Sequence, residues 1–431
     1  MKKILLALFL SLPAFASSPD YVEGEVIVKY KDGSERGLGA MMNSYQKLAV
    51  VNVQRFGGEF KKFEHLVFDQ QKIRLEEVLA GLERDPSVEY AQPNFLLYAL
   101  GAAKSSRPAI KPAPAPVSPT PDPSLSKAWG LAKIGASAAW QKQKGSKKVL
   151  VAVIDTGIDY NHPDLAANMW RNPNAKKFEQ TGVDASGSSV TGDVVGWNFV
   201  HNDNLPFDDS DHGTHVAGTI GAVGENGKGV SGVSPRVSLL AVKFLSGSGS
   251  GATSDAIKSI DYSISRGAKI LNNSWGGSGG PNRALSDAIT RSEKAGVLFV
   301  AAAGNNGSDN ETEPFYPAAF TQANVLTVAS TTREDKLSSF SNYGAKGVHL
   351  AAPGSDIYST VPDSDYSYLS GTSMAAPHVA GAAALVWAKN PKWNYRQVRD
   401  HLLKTGDTLA ALRGKVSSGR RLNVRRAITG R

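Results

Sequence analysis

Gly371-Thr372-Ser373-Met374-Ala375-Ala376-Pro377-His378 is the stretch around which the chain organises itself. Residues 363–369, rich in Ser, Tyr and Asp, read as a loop and give way there to residues 374–388, which are almost all Ala, Gly, Val and Leu. That run has helical length and few polar side chains, so it predicts a helix buried inside a domain. A hydroxyl at the mouth of such a helix faces unpaired backbone N–H groups and the positive end of the helix dipole. Ser373 therefore sits where a nucleophile that must develop negative charge would stand, or where a plain helix cap would. Only the rest of the chain separates the two.

Outward from this helix, short apolar runs recur at 149–154, 237–244, 270–273, 297–303, 325–329 and 348–351. Helical segments lie between several of them, at 255–265, 283–294 and 373–389. Strands that are apolar throughout and alternate with helices predict an α/β fold, a doubly wound and mostly parallel sheet with helices on both faces. In such a fold the site forms where strands end and loops begin. Residues 19–100 read differently, as a small α+β unit. Glu25-Val26-Ile27-Val28-Lys29-Tyr30 alternates like a strand, residues 75–82 have helical spacing, and Val88-Glu89-Tyr90-Ala91 is a strand ahead of Pro93. Between the units, residues 101–123 carry prolines at 108, 112, 114, 116, 119, 121 and 123, which predicts an extended, semi-stiff linker open to proteolysis. The larger unit spans 124–431.

At 431 residues the chain is long enough for two or more units. Met1-Lys2-Lys3, the apolar residues 4–12 and Ala14-Phe15-Ala16 have the three parts of a secretory signal peptide, placed at 1–16. Its apolar core is too short for a membrane anchor, and no later run reaches spanning length without polar interruption. An exported protein is expected, outside the cell or in the periplasm of a cell with two membranes. With no cysteine, disulfides, thiol catalysis, thiolate metal sites and iron–sulfur clusters are excluded. The net charge of +9 gathers partly at the end, where residues 415–431 hold Lys415, Arg420, Arg421, Arg425, Arg426 and Arg431 without an acid. No nucleic-acid motif accompanies them, so they read as a solvated surface.

Four pieces carry chemistry. Val151-Ala152-Val153-Ile154-Asp155-Thr156-Gly157 is a buried strand that delivers a carboxylate at its end. Asp211-His212-Gly213-Thr214-His215-Val216-Ala217-Gly218 opens a helix of small residues. Val300-Ala301-Ala302-Ala303-Gly304-Asn305 ends a third apolar run in an amide, and Ser373 is the fourth piece. The two histidines invite a zinc reading, but the Glu of a zinc-protease helix is missing and there is no Cys. A serine hydroxyl is a weak nucleophile and needs an imidazole to take its proton. The imidazole needs a carboxylate to fix its tautomer and stabilise its charged form. The tetrahedral intermediate needs donors at its oxyanion, where losing one costs roughly 3 kcal/mol. Asp211 adjoins His212, yet neighbours at a helix start do not readily face each other, so Asp155 is the better partner.

With these motifs in place the chain resembles the subtilases, subtilisin-like serine peptidases, in the order Asp…His…Ser. The resemblance rests on Asp155-Thr156-Gly157, on His212 to Gly218 and on Gly371 to Ala375. It implies that Asp155 orients, His212 is the general base and acid, Ser373 is the nucleophile and Asn305 donates to the oxyanion beside the Ser373 N–H. His215 would be packed rather than catalytic. Gly249-Ser250-Gly251 and Ser274-Trp275-Gly276 would be the two edges that hold a peptide as an added strand. Ala302 would line the pocket before the scissile bond, and Phe315 would narrow its floor in favour of small or medium apolar side chains. Calcium is the implied cofactor, with Asp164, Val223 and Asn226 as ligands, although the 223–230 loop also carries Lys228. Residues 19–100 would be a ferredoxin-like inhibitory propeptide that assists folding and is cut away between about residues 98 and 124. The implied protein is a monomeric, self-processing zymogen whose partners are protein substrates and its own propeptide. A dead peptide-binding relative is the second reading. A serine lipase is the third, against which stands the missing G-x-S-x-G elbow.

Overall fold

A computed structural model describes residues 20–32, 38–56, 62–99, 109–115, 118–175 and 192–430. The expected export segment, 1–16, lies outside them. Ahead of the prolines come β1 (Tyr21–Tyr30), α1 (Leu38–Lys47), β2 (Val50–Arg55), β3 (Phe63–Phe68), α2 (Leu75–Glu83) and β4 (Val88–Ala99). The strands pair antiparallel in the order β4-β1-β3-β2. Because side chains alternate along a strand, this small sheet has two working faces. Val26, Val28 and Leu66 pack with Val78 and Leu82 of α2, whereas Ile27, Phe63 and Tyr90 face the larger unit and join its core.

The larger unit begins with α3 (Trp129–Lys133), α4 (Ala136–Trp140), β5 (Gly145–Asp155), β6 (Gly196–Asn198), α5 (His212–Gly221) and β7 (Arg236–Lys243). It continues through β8 (Ser250–Ala252), α6 (Thr253–Ser265), β9 (Ile270–Asn273), β10 (Trp275–Gly276), α7 (Arg283–Lys294), β11 (Leu298–Ala302), β12 (Val325–Thr331) and β13 (Leu350–Pro353). Last come β14 (Ile357–Val361), β15 (Asp365–Leu369), α8 (Thr372–Lys389), α9 (Tyr395–Thr405), β16 (Asp407–Thr408), β17 (Arg420–Arg421) and α10 (Val424–Thr429). The central sheet runs β16-β17-β13-β12-β11-β9-β5-β7-β6, parallel at every pair except β16–β17. Alternate residues of β5 serve opposite layers. Val151 and Val153 pack in the cluster containing α8, and Ala152 and Ile154 in the one containing α6 and α7. Both sheet faces are therefore covered, as the unbroken apolar runs require.

Helix α8 is buried from Thr372 to Trp387, which explains why it is apolar all round. Pro377 lies within it and has no N–H for the carbonyl four residues earlier, that of Ser373. The hydroxyl of Ser274 takes up that carbonyl at 3.0 Å.

Three expectations are corrected. Residues 363–369 are not a loop. They contain a turn and β15, which pairs antiparallel with β14, Tyr358 opposite Tyr368 and Thr360 opposite Tyr366. The turn is Pro362-Asp363-Ser364, and its last two residues have φ of 63° and 64°, the left-handed region in which the chain reverses. The described part of the proline-rich stretch is not a free spacer either. Its unpaired backbone groups bond to the larger unit. Lys111 N–H donates to Asn161 Oδ1 (2.8 Å), Thr120 N–H to the Glu225 carbonyl (2.8 Å) and Gly227 N–H to the Thr120 carbonyl (3.0 Å). Finally, Arg421 is not solvated. It is buried and donates to Asp407 at 2.8 Å and to the Lys133 carbonyl at 2.6 Å, tying β17 to α3. Among the described residues no helix is long and apolar enough to cross a membrane.

Candidate active site

The candidate polar residues sit where elements begin or end. Asp155 closes β5 and His212 opens α5, and both are fully buried. Their approach depends on glycine: a Cβ on Gly213 would lie 2.0 Å from the Gly157 carbonyl oxygen, and Gly157 itself has φ of +112°. His212 Nδ1 donates to Asp155 Oδ1 at 2.7 Å, and Thr156 N–H donates to the same oxygen at 2.7 Å. A carboxylate can only accept, so Nδ1 carries the proton and Nε2 of the neutral ring is left as a base. Nε2 is buried and has no hydrogen-bond partner among the described residues. Burial works against a charge on His212, but the negative charge and hydrogen bond of Asp155, with the charge of Asp208, outweigh it and raise its pKa above the ordinary value.

Ser373 is the second residue of α8 and is fully buried. Its hydroxyl donates to the Ser274 carbonyl at 3.1 Å rather than to His212, so the expected serine–histidine bond is not made in this state. Asn305 follows β11. Its Oδ1 accepts from the Thr372 N–H (2.9 Å) and the Thr372 hydroxyl (2.8 Å), which fixes the direction of the amide. The NH2 group is thereby held beside Gly371, 3.0 Å from where a Cβ would stand. Site donors thus gather at the N-terminus of α8, where the helix dipole also favours an oxyanion. His215 is buried with Nε2 against the Ile357 (2.8 Å) and Ser367 (3.2 Å) carbonyls, and burial lowers its pKa to about 3. It is a packed neutral ring.

The two predicted edges hold a strand, and the strand is the chain's own. Leu96, Leu97 and Tyr98 of β4 pair antiparallel with Ala252, Gly251 and Ser250, while Tyr98 and Ala99 pair on the other side with Gly276 and Trp275. Ala99 N–H donates to the Gly249 carbonyl at 2.6 Å. Trp275 offers only its backbone to this cleft. Its ring is fully buried and donates to the Ile154 carbonyl at 2.9 Å. Ala302 is buried at the end of β11. Phe315 is buried between two glycines: a Cβ on Gly276 would come within 2.3 Å of its ring, and one on Gly304 within 3.1 Å.

Sequence reasoning did not find the side chains that dock β4 and its sheet. Asn94 Oδ1 accepts from Ser254 N–H (3.0 Å) at the start of α6, and Gln92 Oε1 from Ala284 N–H (3.1 Å) at the start of α7. Lys29 and Tyr90 both donate to Asp287, at 3.0 and 2.8 Å. The available signal was a pair of amides ahead of a strand end, too common to stand out.

The residues expected to bind calcium are neighbours joined by hydrogen bonds. Val223 N–H donates to the Asp164 carbonyl (2.7 Å), and the Asn226 side chain meets Asp164 Oδ1 (2.8 Å). Asp164 Oδ2 accepts from Val230 N–H and the Tyr366 hydroxyl, each at 2.9 Å. A residue missed in the sequence joins them. Asp122, from the proline-rich stretch, is buried and accepts from Glu225 N–H and Asn226 N–H, each at 3.0 Å, and from Ser231 Oγ at 2.6 Å. Burial raises the pKa of Asp164, its hydrogen bonds oppose that rise, and the charge of Asp122 adds to it. Asp122 and Asp164 are two buried carboxylates that face the 223–230 loop from different parts of the chain; they are oxygen donors of the kind a hard cation takes, and in this structure they accept N–H and O–H donors. Among the described residues no group of three or more acidic or histidine side chains forms such a site, so an ion here would draw on the Asn226 amide and on backbone carbonyls as well.

A buried aspartate–histidine pair, a serine at a helix mouth and an extended segment seated between two edges form the arrangement that a serine hydrolase acting on polypeptides needs. The chain belongs to the subtilase family: residues 146–420 match the model of that family, and residues 14–94 match the fervidolysin N-terminal prodomain. It is 33% identical to a thermophilic serine proteinase of Bacillus sp. (strain AK1) over 421 residues, 95% of this chain and 88% of the relative. Identity to thermitase of Thermoactinomyces vulgaris is 43% over 261 residues, covering 61% and 82% of the two chains. Subtilisin Savinase of Lederbergia lenta is 40% identical over 283 residues, 66% and 92% of the two chains. The protein is thus a subtilisin-like serine peptidase with an N-terminal prodomain, and its larger unit has the α/β subtilisin fold.

Proposed function

We propose that the protein is an exported endopeptidase made as a self-processing zymogen, with Asp155, His212 and Ser373 as its triad and Asn305 as an oxyanion donor. Ser373 Oγ attacks the scissile carbonyl carbon while His212 Nε2 takes its proton. The oxyanion is received by Asn305 Nδ2 and the Ser373 N–H, and the imidazolium is steadied by Asp155. His212 then protonates the leaving amine, and water attacking the acyl-enzyme repeats the sequence to release the acid. In this reading residues 19–100 are a ferredoxin-like inhibitory propeptide, residues 101–123 its connection and 124–431 the monomeric catalytic unit. Phe315 shortens the pocket next to the scissile bond. Calcium would be held by oxygens of Asp122, Asp164, Val223 and Asn226, and would offset the two buried carboxylates beside the 223–230 loop.

The observation that carries the proposal is the placement of residues 96–99 between both cleft edges, in the manner of a substrate. Trp275 pairs with Ala99, the last described residue of β4, and Trp275 is preceded by Ser274, the hydrogen-bond partner of Ser373. The cut expected from this reading falls just beyond β4, after Leu100. Intact masses of refolded wild type and Ser373→Ala test the reading. Wild type is expected to lose everything through residue 100 and the mutant to keep it. Retention by both although folded, or loss from both, would overturn self-processing, and a cut elsewhere would overturn its placement after Leu100.

A further inference from the structure

One fully buried carboxylate has no part in the steps above. Asp208 accepts four hydrogen bonds, from Thr156 Oγ1 (2.7 Å) and Ser210 N–H (2.9 Å) on Oδ1, and from Thr214 N–H (2.7 Å) and Thr214 Oγ1 (2.6 Å) on Oδ2. Each threonine has a single hydroxyl proton, and Asp208 receives both, so both hydroxyl oxygens are free to accept. Thr156 Oγ1 accepts from Gly213 N–H at 2.9 Å, and Thr214 Oγ1 from Asp159 N–H at 2.9 Å. Thr156 follows Asp155, and Gly213 and Thr214 follow His212. Both bridges therefore clamp the turn after β5 to the first turn of α5, and both take their polarity from Asp208. Lys243 at the end of β7 holds the same turn, its buried ammonium donating to the Thr156 carbonyl at 2.6 Å, to Asp209 Oδ1 at 2.6 Å and to the Leu245 carbonyl at 2.9 Å.

We propose that Asp208 is a positioning residue for peptide hydrolysis, which sets the hydroxyl directions of Thr156 and Thr214, holds Asp155 against His212, and lends its charge to the imidazolium. The inference rests on the triad reading. Only a carboxylate serves here, because an amide would present an N–H pair to one of the two donor sets. The threonine hydroxyl on that side could turn away, but the Ser210 or Thr214 backbone N–H could not. Asp155 and Asp208 act on His212, whose charge His215 also feels; burial raises the Asp208 pKa against its hydrogen bonds and the charge of Lys243, which itself pairs with Asp209. His212 works as a base only when neutral, so activity falls as pH drops through its raised pKa. Removing the charge of Asp208 lowers that pKa, and the acid limb of activity moves to lower pH.

The test measures kcat, KM and the pH profile of kcat/KM on a chromogenic peptide, per active site titrated with a fluorophosphonate. Asp208→Asn is expected to lose about 100-fold in kcat with KM little changed, the size of effect that about 1 Å of misplacement brings, and to shift the acid limb down. Thr156→Val, which keeps the charge but removes one bridge, should lower kcat with the acid limb in place, and Thr156→Ser should restore it. The proposal fails if folded Asp208→Asn keeps its kcat or its acid limb, or if Thr156→Ser is as slow as Thr156→Val. If Asp208→Asn does not fold, the two Thr156 variants decide. Activity remaining in Ser373→Ala would instead remove the triad reading beneath it.

Discussion

Phe315 shows how much one side chain settles once its neighbours are known. It lies against Gly276 of one cleft edge and Gly304 beside Asn305, positions that leave room for its ring only because they lack a Cβ. In the proposed reading, the ring takes the volume that a large substrate side chain would fill. We therefore expect the wild type to prefer small or medium apolar residues before the cut. Phe315→Ala should raise kcat/KM for peptides with Phe at that place, relative to those with Ala, by about tenfold or more, since hydrophobic pockets discriminate by about 1–3 kcal/mol per missing group. A library profile of the wild type led by large aromatic residues would refute this. The same scale explains the course of α8: Pro377 frees the Ser373 carbonyl, and Ser274 takes it up while its own carbonyl holds the Ser373 hydroxyl.

Helix ends are the joints between the prodomain and the catalytic unit. Gln92 and Asn94 accept backbone N–H groups of the first turns of α7 and α6, donors that a helix leaves unpaired. A cap of this kind contributes about 1 kcal/mol. Replacing both residues by Ala should therefore let the cut prodomain leave about 10–30-fold faster, read as the lag before peptide hydrolysis begins after dilution. An unchanged lag would mean that the caps do not hold the prodomain, leaving the strand β4 as its grip. At this scale the long apolar strands and α8 were legible in the sequence, because burial on both faces leaves an unbroken apolar run. The β14–β15 hairpin was not. β15 has no buried residue and the turn before it, Pro362-Asp363-Ser364, contains no glycine, so the segment passed for a loop.

For the whole molecule the decisive feature is a loop held from two distant places in the chain. Asp122 comes from the proline-rich stretch and Asp164 from beyond β5, and both face residues 223–230. If calcium is held there, chelation should lower the melting midpoint of the processed enzyme by about 5–15 °C, the range expected when about 3–4 kcal/mol of ligand stabilisation is withdrawn. Asp122→Asn should shrink that difference. Equal midpoints with calcium and with chelator would remove the ion from this loop. The docking of Thr120 and Asp122 also makes the proline-rich stretch a strap over the 223–230 loop.

The sequence by itself determined the layers and the chemistry. Apolar periodicity reports burial, and burial selects a covered parallel sheet; the residues able to carry acyl transfer stand out because each interrupts such a run at its end. Tertiary structure decided what touches what. Asp155 and His212 are 57 positions apart, and only the approach of Gly213 to Gly157 makes them partners. Asp122 stands in a proline-rich run, Asp208 among several acids before His212, and Gln92 and Asn94 within a strand. Their roles depend on hydrogen bonds to groups 52 to 192 positions away, or on which way a neighbour's hydroxyl turns. Local sequence carries no record of such pairings, because contact across a fold is set by how the elements pack and not by the residues on either side.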